Sequence, residues 1–303
     1  MRYTISCALA SLLPSLVHAE VPKVVTDIPP VHALVAQVMG NLGQPQLLLA
    51  KGADEHDFAL KPSQMQGIAE ADLAVWIGPE LTPWLERALQ GSDAAQLALL
   101  DAEGTTRRAF AEGDAHDHDH EAEHADGDDH SGTDPHAWLD PQNAMVWTGL
   151  IAAELSRLDP EHAATYAANA EAARARITAL DTALAAQLAP FSDKPFVAFH
   201  DAYGYFTGHY GLQPAGHLAL GDASAPGAAH LTELRDQIAA GGVVCLFPEV
   251  QHDPALLTQL AEGGTVRIGG TLDPVGSALD AGPLAYETLL QGIADTLADC
   301  LKG

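Results

Sequence analysis

Three histidines lie beside carboxylates at the ends of predicted elements, and these residue types are well suited to bind a metal ion. His56 stands in the run Glu55-His56-Asp57, His136 lies between two Asp-Pro steps, and His200 ends a short apolar run. Imidazole nitrogens bind metals, and neighbouring carboxylates supply the hydrogen bonds that orient the rings. Taken alone, the His56 segment is equally consistent with a solvated loop, and His136 with an incidental residue of a turn. A lone histidine in the position of His200 is more often structural. Three at comparable positions predict a metal site.

Two carboxylates are candidates for a fourth ligand. Glu55 precedes His56, and Asp273 lies in a turn of sequence Gly-Thr-Leu-Asp-Pro. We interpret Glu249, which follows a predicted strand, as a carboxylate that supports a ligand or as an ordinary polar residue. Neutral imidazoles suit Zn²⁺, whereas an oxygen-rich set suits Mn²⁺. The predicted donors therefore favour zinc, with Glu55, Asp273 or water in the fourth position.

Both halves of the chain alternate short apolar runs with helical patterns, which is typical of parallel α/β sheets. Ligands of such sheets bind at the carboxyl ends of the strands, where we expect the three histidines to lie. The predicted strands are residues 23–26, 46–50, 73–77, 97–100, 196–199, 242–247 and 265–268. Three predicted helices begin near residues 30, 63 and 83. Five more span residues 142–157, 161–189, 230–240, 254–262 and 283–301.

One uninterrupted helix is predicted between the two halves. Residues 161–189 contain neither Gly nor Pro, which predicts a helix of about 29 residues, roughly 45 Å long at 1.5 Å per residue. Because sustained heptads are missing, a coiled coil is a poor alternative. We expect an N-terminal α/β lobe at residues 20–158, a rigid linker helix at 159–190 and a C-terminal α/β lobe at 191–303. The linker helix would be a spine that joins the two lobes rather than a packed surface helix. The metal site would lie in the cleft between the lobes.

A histidine-rich acidic run interrupts the first lobe. Residues 112–134 carry ten acidic residues, no basic residue and five histidines. Those histidines are His116, His118, His120, His124 and His130. The run has no apolar periodicity, so we predict a disordered loop that attracts metal ions. Over the whole chain, 41 acidic against 14 basic residues give a net charge of −27, which argues against nucleic acid or an anionic membrane surface as a partner.

Residues 1–19 have the pattern of a secretory signal peptide. Arg2 precedes an apolar run, and a small-x-small sequence ends at Ala19. The run is shorter than the roughly 20 residues needed to span a bilayer, and no other segment could span one. We expect an exported monomer, cleaved after Ala19 and not embedded in a membrane. Cys245 and Cys300 would remain, and in an oxidising compartment we predict that they pair, with two buried thiols as the alternative.

Catalytic signatures are mostly absent. The sequence contains no G-x-S-x-G nucleophile elbow, no Walker A loop and no G-x-G-x-x-G fingerprint. We therefore predict a binding protein rather than an enzyme. Three nitrogen ligands with one open position are also the coordination of catalytic zinc, so a secreted zinc hydrolase stays open as an alternative. Only Glu55 or Glu249 could then serve as its general base.

Four segments together resemble the motifs of zinc-specific periplasmic substrate-binding proteins of ABC importers, the cluster A-I proteins of the ZnuA type. These segments are Gly52–Ser63, Asp134–Pro141, His200–Phe206 and Gly270–Gly276. Each is weak alone, but the resemblance extends over essentially the whole chain after residue 19. It implies two α/β lobes, a rigid helix between them and one zinc ion in the cleft.

The resemblance also implies roles for individual residues. It places the zinc ligands on His56, His136 and His200, with Glu55 as the nearby carboxylate or the group that holds a water. Manganese-binding relatives carry Glu where His200 stands and use the Asp that matches Asp273, so this sequence departs from them. The implied function is capture of Zn²⁺ in the periplasm and its delivery to a membrane permease. A periplasmic zinc chaperone that donates to apo-proteins is the alternative.

Overall fold

Two parallel β-sheets, one in each half of the chain, organise the computed structural model. The structure describes residues 20–110, 132–219 and 226–303. The predicted signal peptide and all but the last residues of the predicted acidic loop lie outside these ranges. Within the described ranges, no helix is both long enough and apolar enough to cross a membrane. The predicted α/β class with parallel sheets is confirmed.

The first sheet has the strand order β2-β1-β3-β4, and all of its strands are parallel. Its strands are β1 (Val24–Thr26), β2 (Gln46–Leu47), β3 (Leu73–Trp76) and β4 (Ala95–Ala98). The helices of this half are α1 (Pro29–Met39), α2 (Pro62–Ala69), α3 (Pro83–Leu89) and α4 (Pro141–Leu158). Each of these helices begins with proline, which suits the first position because an N–H there would have no partner within the helix.

A short antiparallel ribbon precedes α4. It consists of β5 (Arg108–Ala109) paired with β6 (Thr133–Asp134). Asp134 is 2% exposed. The final residues of the predicted acidic loop therefore belong to the fold, and the ribbon leads directly into the turn that contains His136.

The predicted long helix is present as α5 (Ala163–Leu188), which has 26 residues. Single 3₁₀ turns precede it at Pro160–His162 and follow it at Ala189–Phe191. The predicted span 161–189 is therefore helical, but its ends tighten into 3₁₀ turns. The buried residues of α5 are Tyr166, Ala170, Ala173, Ile177, Leu184 and Leu188. They form one face, so the helix packs along one side.

The second sheet has the order β10-β9-β7-β8, and its strands are again parallel. Its strands are β7 (Phe196–Ala198), β8 (Pro214–His217), β9 (Cys245–Leu246) and β10 (Arg267–Ile268). The helices of this half are α6 (Gly204–Tyr210), α7 (Ala228–Ala239), α8 (Ala255–Ala261) and α9 (Ala285–Leu301). The sequence patterns predict neither β8 nor α6, because β8 lacks β-branched residues and α6 lacks strong helix formers.

Helices from both halves share one core. α5 packs against α4 and also contacts α1 and α9, while α9 contacts α1. A single hydrophobic cluster therefore runs through both halves of the chain. Across the same boundary, the hydroxyl of Tyr286 on α9 donates to the carbonyl of Trp138 at 2.9 Å. The predicted long helix α5 therefore packs against helices of both halves, as expected of a helix that joins them.

Cys245 and Cys300 form a disulfide, as predicted. The bond joins β9 to α9, and the two Cα atoms lie 6.3 Å apart at a sequence separation of 55. The bond therefore fastens α9 to the second sheet. Because α9 also lies against α1, this helix contributes to the core of both halves.

Replacing both cysteines, Cys245→Ala with Cys300→Ala, should lower the free energy of unfolding by roughly 2–4 kcal/mol, because the unfolded chain regains the entropy of a long open loop. Urea unfolding of the oxidised parent and of the variant measures the difference. Dithiothreitol should destabilise the parent and leave the variant unaffected. Equal unfolding midpoints for the parent and the variant would contradict this expectation.

Candidate metal centre

His56 lies in the loop between β2 and α2. Its backbone N–H donates to Oδ1 of Asp54 at 2.8 Å. The carbonyl of Glu55 accepts the indole N–H of Trp84 at 2.8 Å, and the ring of Phe58 packs edge-on against Trp84. These contacts anchor the loop to α3 and fix the position of His56.

His136 follows β6 and is completely buried. One oxygen of Asp134, Oδ1, accepts the backbone N–H of His136 at 3.0 Å and its ring Nδ1–H at 2.8 Å. The carbonyl of Asp134 accepts the hydroxyl of Tyr205, on α6 of the second half, at 2.9 Å. The spacing Asp134-Pro135-His136 thus lets one carboxylate orient the ring, and Tyr205 of the second half holds the main chain of Asp134 in place.

His200 follows β7 at the carboxyl end of the second sheet. Glu249 follows β9, the neighbour of β7, and its side chain is completely buried. Its carboxylate accepts the backbone N–H of His200 at 3.3 Å and also hydrogen-bonds the ring Nδ1. Of the two interpretations of Glu249, the structure therefore supports a carboxylate that orients His200.

The three histidines converge from both halves of the chain. Their ring centroids lie 5.5 Å apart for His56 and His136, 5.4 Å for His136 and His200, and 6.2 Å for His56 and His200. One nitrogen of each ring lies within 4.8 Å of the other two. Since Nδ1 of His136 and Nδ1 of His200 donate to carboxylates, the Nε2 atoms carry the lone pairs that can bind a metal ion.

Burial favours the neutral form of His56. The pKa of His56 lies well below its usual value, first because the ring is buried and then because His136 and His200 are close. A neutral imidazole binds a metal ion, whereas an imidazolium cannot. His56 therefore offers a nitrogen donor that need not first lose a proton.

Glu55 is better placed than Asp273 to supply a fourth ligand. The carboxylate of Glu55 is buried, and its Oε1 lies 3.9 Å from Nε2 of His56. Burial raises the pKa of Glu55 to about 7, an effect that the nearby histidines partly offset. In contrast, the two carboxylate oxygens of Asp273 accept the backbone N–H groups of Ser277 and Ala278, each at 2.9 Å. Both carboxylate oxygens of Asp273 are therefore engaged in its own turn.

The segment Gly270–Gly276 joins the two halves beside the histidines. The indole N–H of Trp138 donates to the carbonyl of Pro274 at 2.8 Å. Immediately after the segment, the carbonyl of Ser277 accepts the N–H of Gly52, in the loop that carries His56, at 2.9 Å. This motif therefore contributes backbone contacts across the boundary between the halves.

Two further residues lie beside the cluster although sequence analysis assigned them no role. Nε2 of His252 lies 3.8 Å from Oε2 of Glu249. Burial, reinforced by Glu249, holds the pKa of Tyr203 well above its usual value, so its phenol stays a neutral donor. The spacing Glu249-x-x-His252 after a strand is the one sequence signal that could have indicated His252.

A family model described as zinc-uptake complex component A, periplasmic (ZnuA), matches residues 24–300. The chain belongs to this family. It is 53% identical over 302 residues to the high-affinity zinc uptake system protein ZnuA of Paracoccus denitrificans, with 93% of each chain covered. The family resemblance drawn from four short segments is therefore confirmed over nearly the whole chain.

Solved structures share the fold. A zinc-bound ZnuA deletion mutant has a TM-score of 0.75 and 25% identity, over 92% of this chain and 98% of that one. The SBP FpvC of Pseudomonas aeruginosa, solved in complex with Mn²⁺, has a TM-score of 0.77 and 21% identity, over 93% and 99%. Both similarities extend over nearly the whole chain.

The variant Asp134→Ala removes the carboxylate that orients His136 and should weaken zinc binding by about 10- to 100-fold, the usual cost of losing such a partner. Competition with a fluorescent zinc chelator measures the affinity. Asp101→Ala is the matched control, because Asp101 is an exposed carboxylate of the same half that pairs with Arg107. If Asp134→Ala binds zinc as tightly as the parent does, the hydrogen bond from His136 to Asp134 does not determine the orientation of the His136 ring.

Proposed function

We propose that this chain is a periplasmic zinc-binding protein that captures one Zn²⁺ ion between its two halves. The main support is the convergence of three imidazoles, one nitrogen of each within 4.8 Å of the others. Zn²⁺ favours nitrogen donors of this kind in a tetrahedral set. The relatives agree, since the Paracoccus denitrificans protein is named a high-affinity zinc uptake protein and a solved ZnuA holds zinc.

His56, His136 and His200 would bind the ion, and Glu55 or a water that it holds would fill the fourth position. A carboxylate in that position would reduce the net charge of the ion and its ligands from +2 to +1. Because the pKa of Glu55 is about 7 and a metal ligand must be deprotonated, binding would displace the proton that Glu55 retains near neutral pH. A set dominated by nitrogen suits Zn²⁺ better than Mn²⁺.

The proposed ion would link the two halves of the chain. His56 and His136 precede α5, whereas His200 follows it, so the full ligand set exists only while the halves are packed together. We propose the division into an N-terminal lobe at residues 20–158, a linker helix at 159–190 and a C-terminal lobe at 191–303. The ion would then lie in the cleft between the lobes, where opening and closing could control its release.

We propose that residues 1–19 are a signal peptide cleaved after Ala19, and that the exported protein works in the periplasm as a monomer. Its acceptor would be the permease of an ABC importer, since an uptake component must pass on its ion. A zinc chaperone would use the same site with a different acceptor. Zinc transfer into vesicles that contain the permease and its ATPase would distinguish the two.

We propose no enzymatic activity for this site. A zinc hydrolase needs a metal-bound water beside a general base, and the residue best placed for that role, Glu55, is the one proposed to fill the fourth position. The run His120–His124 matches H-E-x-x-H, but it lies outside the described residues within the acidic run. Turnover of ester or peptide substrates by the zinc-loaded protein would favour the hydrolase.

Each of the variants His56→Ala, His136→Ala and His200→Ala should weaken tight zinc binding by orders of magnitude, because each removes one nitrogen ligand. Calorimetry in competition with a chelator of known affinity measures the loss. His230→Ala is the control, since His230 lies on α7 and its Nε2 hydrogen-bonds the carbonyl of His217 at 2.8 Å. Parental affinity in all three variants would refute the ligand assignment.

The acidic run at residues 112–134 is proposed to collect zinc weakly near the tight site. It carries ten acidic residues and five histidines, and its last residues form the strand that leads to His136. Deleting residues 114–130 should remove weakly bound zinc and leave the tight equivalent, as counted by metal analysis and calorimetry. Loss of tight binding would mean that the run itself supplies a ligand.

A further inference from the structure

A second group of candidate metal ligands adjoins the proposed zinc site. Within the part of the chain that the structure describes, His200, Glu249 and His252 place one ligand atom each within 4.8 Å of the others. This group is named the outer site here, and the group of His56, His136 and His200 is named the inner site. His200 belongs to both groups.

The spacing between His252 and Glu249 is close to that of two ligands of one ion. Nε2 of His252 lies 3.8 Å from Oε2 of Glu249, which is too long for a hydrogen bond. Two ligands that each stand about 2.0–2.2 Å from zinc are separated by roughly 3.3–3.6 Å at a tetrahedral angle. Two imidazoles with one glutamate are also an established set of zinc ligands. A small movement of His252 would bring its nitrogen to that separation, and Nδ1 of His200 and the carboxylate of Glu249, which are hydrogen-bonded to each other, would have to move apart.

Packing holds His252 in position. Its ring stacks on Phe199, with the centroids 4.2 Å apart and the planes within 5° of parallel. Its side chain is 22% exposed, compared with 4% for His200 and 0% for His136. The outer site therefore meets solvent at His252 and meets the inner site at His200.

We propose that the outer site is a transient binding site through which Zn²⁺ enters and leaves the inner site. This inference rests on the proposed function, because it requires the inner site to bind zinc. It adds a route for the ion: from solvent to His252 and Glu249, then to His200, and finally to His56 and His136.

The two nitrogens of His200 make the transfer chemically simple. An ion in the inner site bonds to Nε2, while Nδ1 keeps the proton that it donates to Glu249. An ion in the outer site bonds to Nδ1, so the proton leaves Nδ1 and Nε2 takes one up. The ring stays neutral in both states, and only its tautomer changes.

The same chemistry makes the two sites mutually exclusive. A neutral imidazole has a lone pair on only one of its ring nitrogens, so His200 can bind only one ion at a time. Glu249 changes its role in the same step, from accepting the proton of His200 to binding the ion. An ion would therefore move between the sites rather than fill both.

The first test removes two ligands of the inner site and asks whether His252 then binds zinc. The full chain with His56→Gln and His136→Gln is labelled with ¹⁵N, and Zn²⁺ is added until the spectrum stops changing. We expect the imidazole ¹⁵N signals of His252 to shift, and Glu249→Gln to abolish that shift. The signals of His230 serve as the control. Signals of His252 that stay fixed at saturation would overturn the proposal.

The second test keeps the inner ligands and changes only the partly exposed His252. In stopped-flow measurements on His252→Gln, we expect slower zinc loading and slower zinc release to excess EDTA than in the parent, because the ion loses its intermediate site in both directions. If His252 only supported Glu249 by packing, its loss would instead speed release without slowing loading. His230→Gln controls for removing a histidine from the same half.

Two outcomes separate the inference from the proposed function. Loading and release rates of His252→Gln that equal those of the parent, or faster release alone, would overturn the outer site and leave tight binding at the inner site unaffected. Failure of the parent to bind zinc tightly would refute the proposed function itself.

Discussion

The hydrogen bonds that Nδ1–H of His136 and of His200 donates to buried carboxylates are the interactions on which the proposed site depends. They fix which ring nitrogen carries the proton, and therefore which one can face a cation. Each carboxylate also accepts the backbone N–H of its histidine, so one group positions both the ring and the main chain. Two of the three nitrogen donors are thereby oriented without the ion, which limits the reorganisation that binding requires.

The fold explains why those carboxylates stand where they do. Glu249 lies beside His200 because β9 is the neighbour of β7. Asp134 ends the ribbon, where the hydroxyl of Tyr205 donates to its carbonyl and accepts the N–H of Arg108. Since Tyr205 belongs to the second half, this contact ties the ribbon across the boundary that α5, α9 and the disulfide also stabilise. The site is therefore a product of how the two halves pack.

Local rules account for what could be predicted from sequence. His136 lies in a turn stiffened by prolines, and His200 ends an apolar run, so both could be assigned to the carboxyl ends of elements. The rest depends on contacts distant in sequence. Strand order, which local patterns do not reveal, brings Glu249, and with it His252, beside His200. The choice between Glu55 and Asp273 depended on which carboxylate is occupied by its own turn, and sequence could not show that.

Attraction and selectivity have different physical sources in this protein. Acidic charge raises the local concentration of every cation, and screening limits its reach to about 8–10 Å at physiological ionic strength. The net charge of −27 therefore matters mainly where it lies close to the cleft, and nine of the acidic residues fall between the two strands of the ribbon that leads to His136. Selectivity must come from the neutral imidazoles, since these distinguish Zn²⁺ from the harder cations that carboxylates also attract. In the proposed function the two tasks are separate, because the acidic run would gather cations and the three histidines would choose among them.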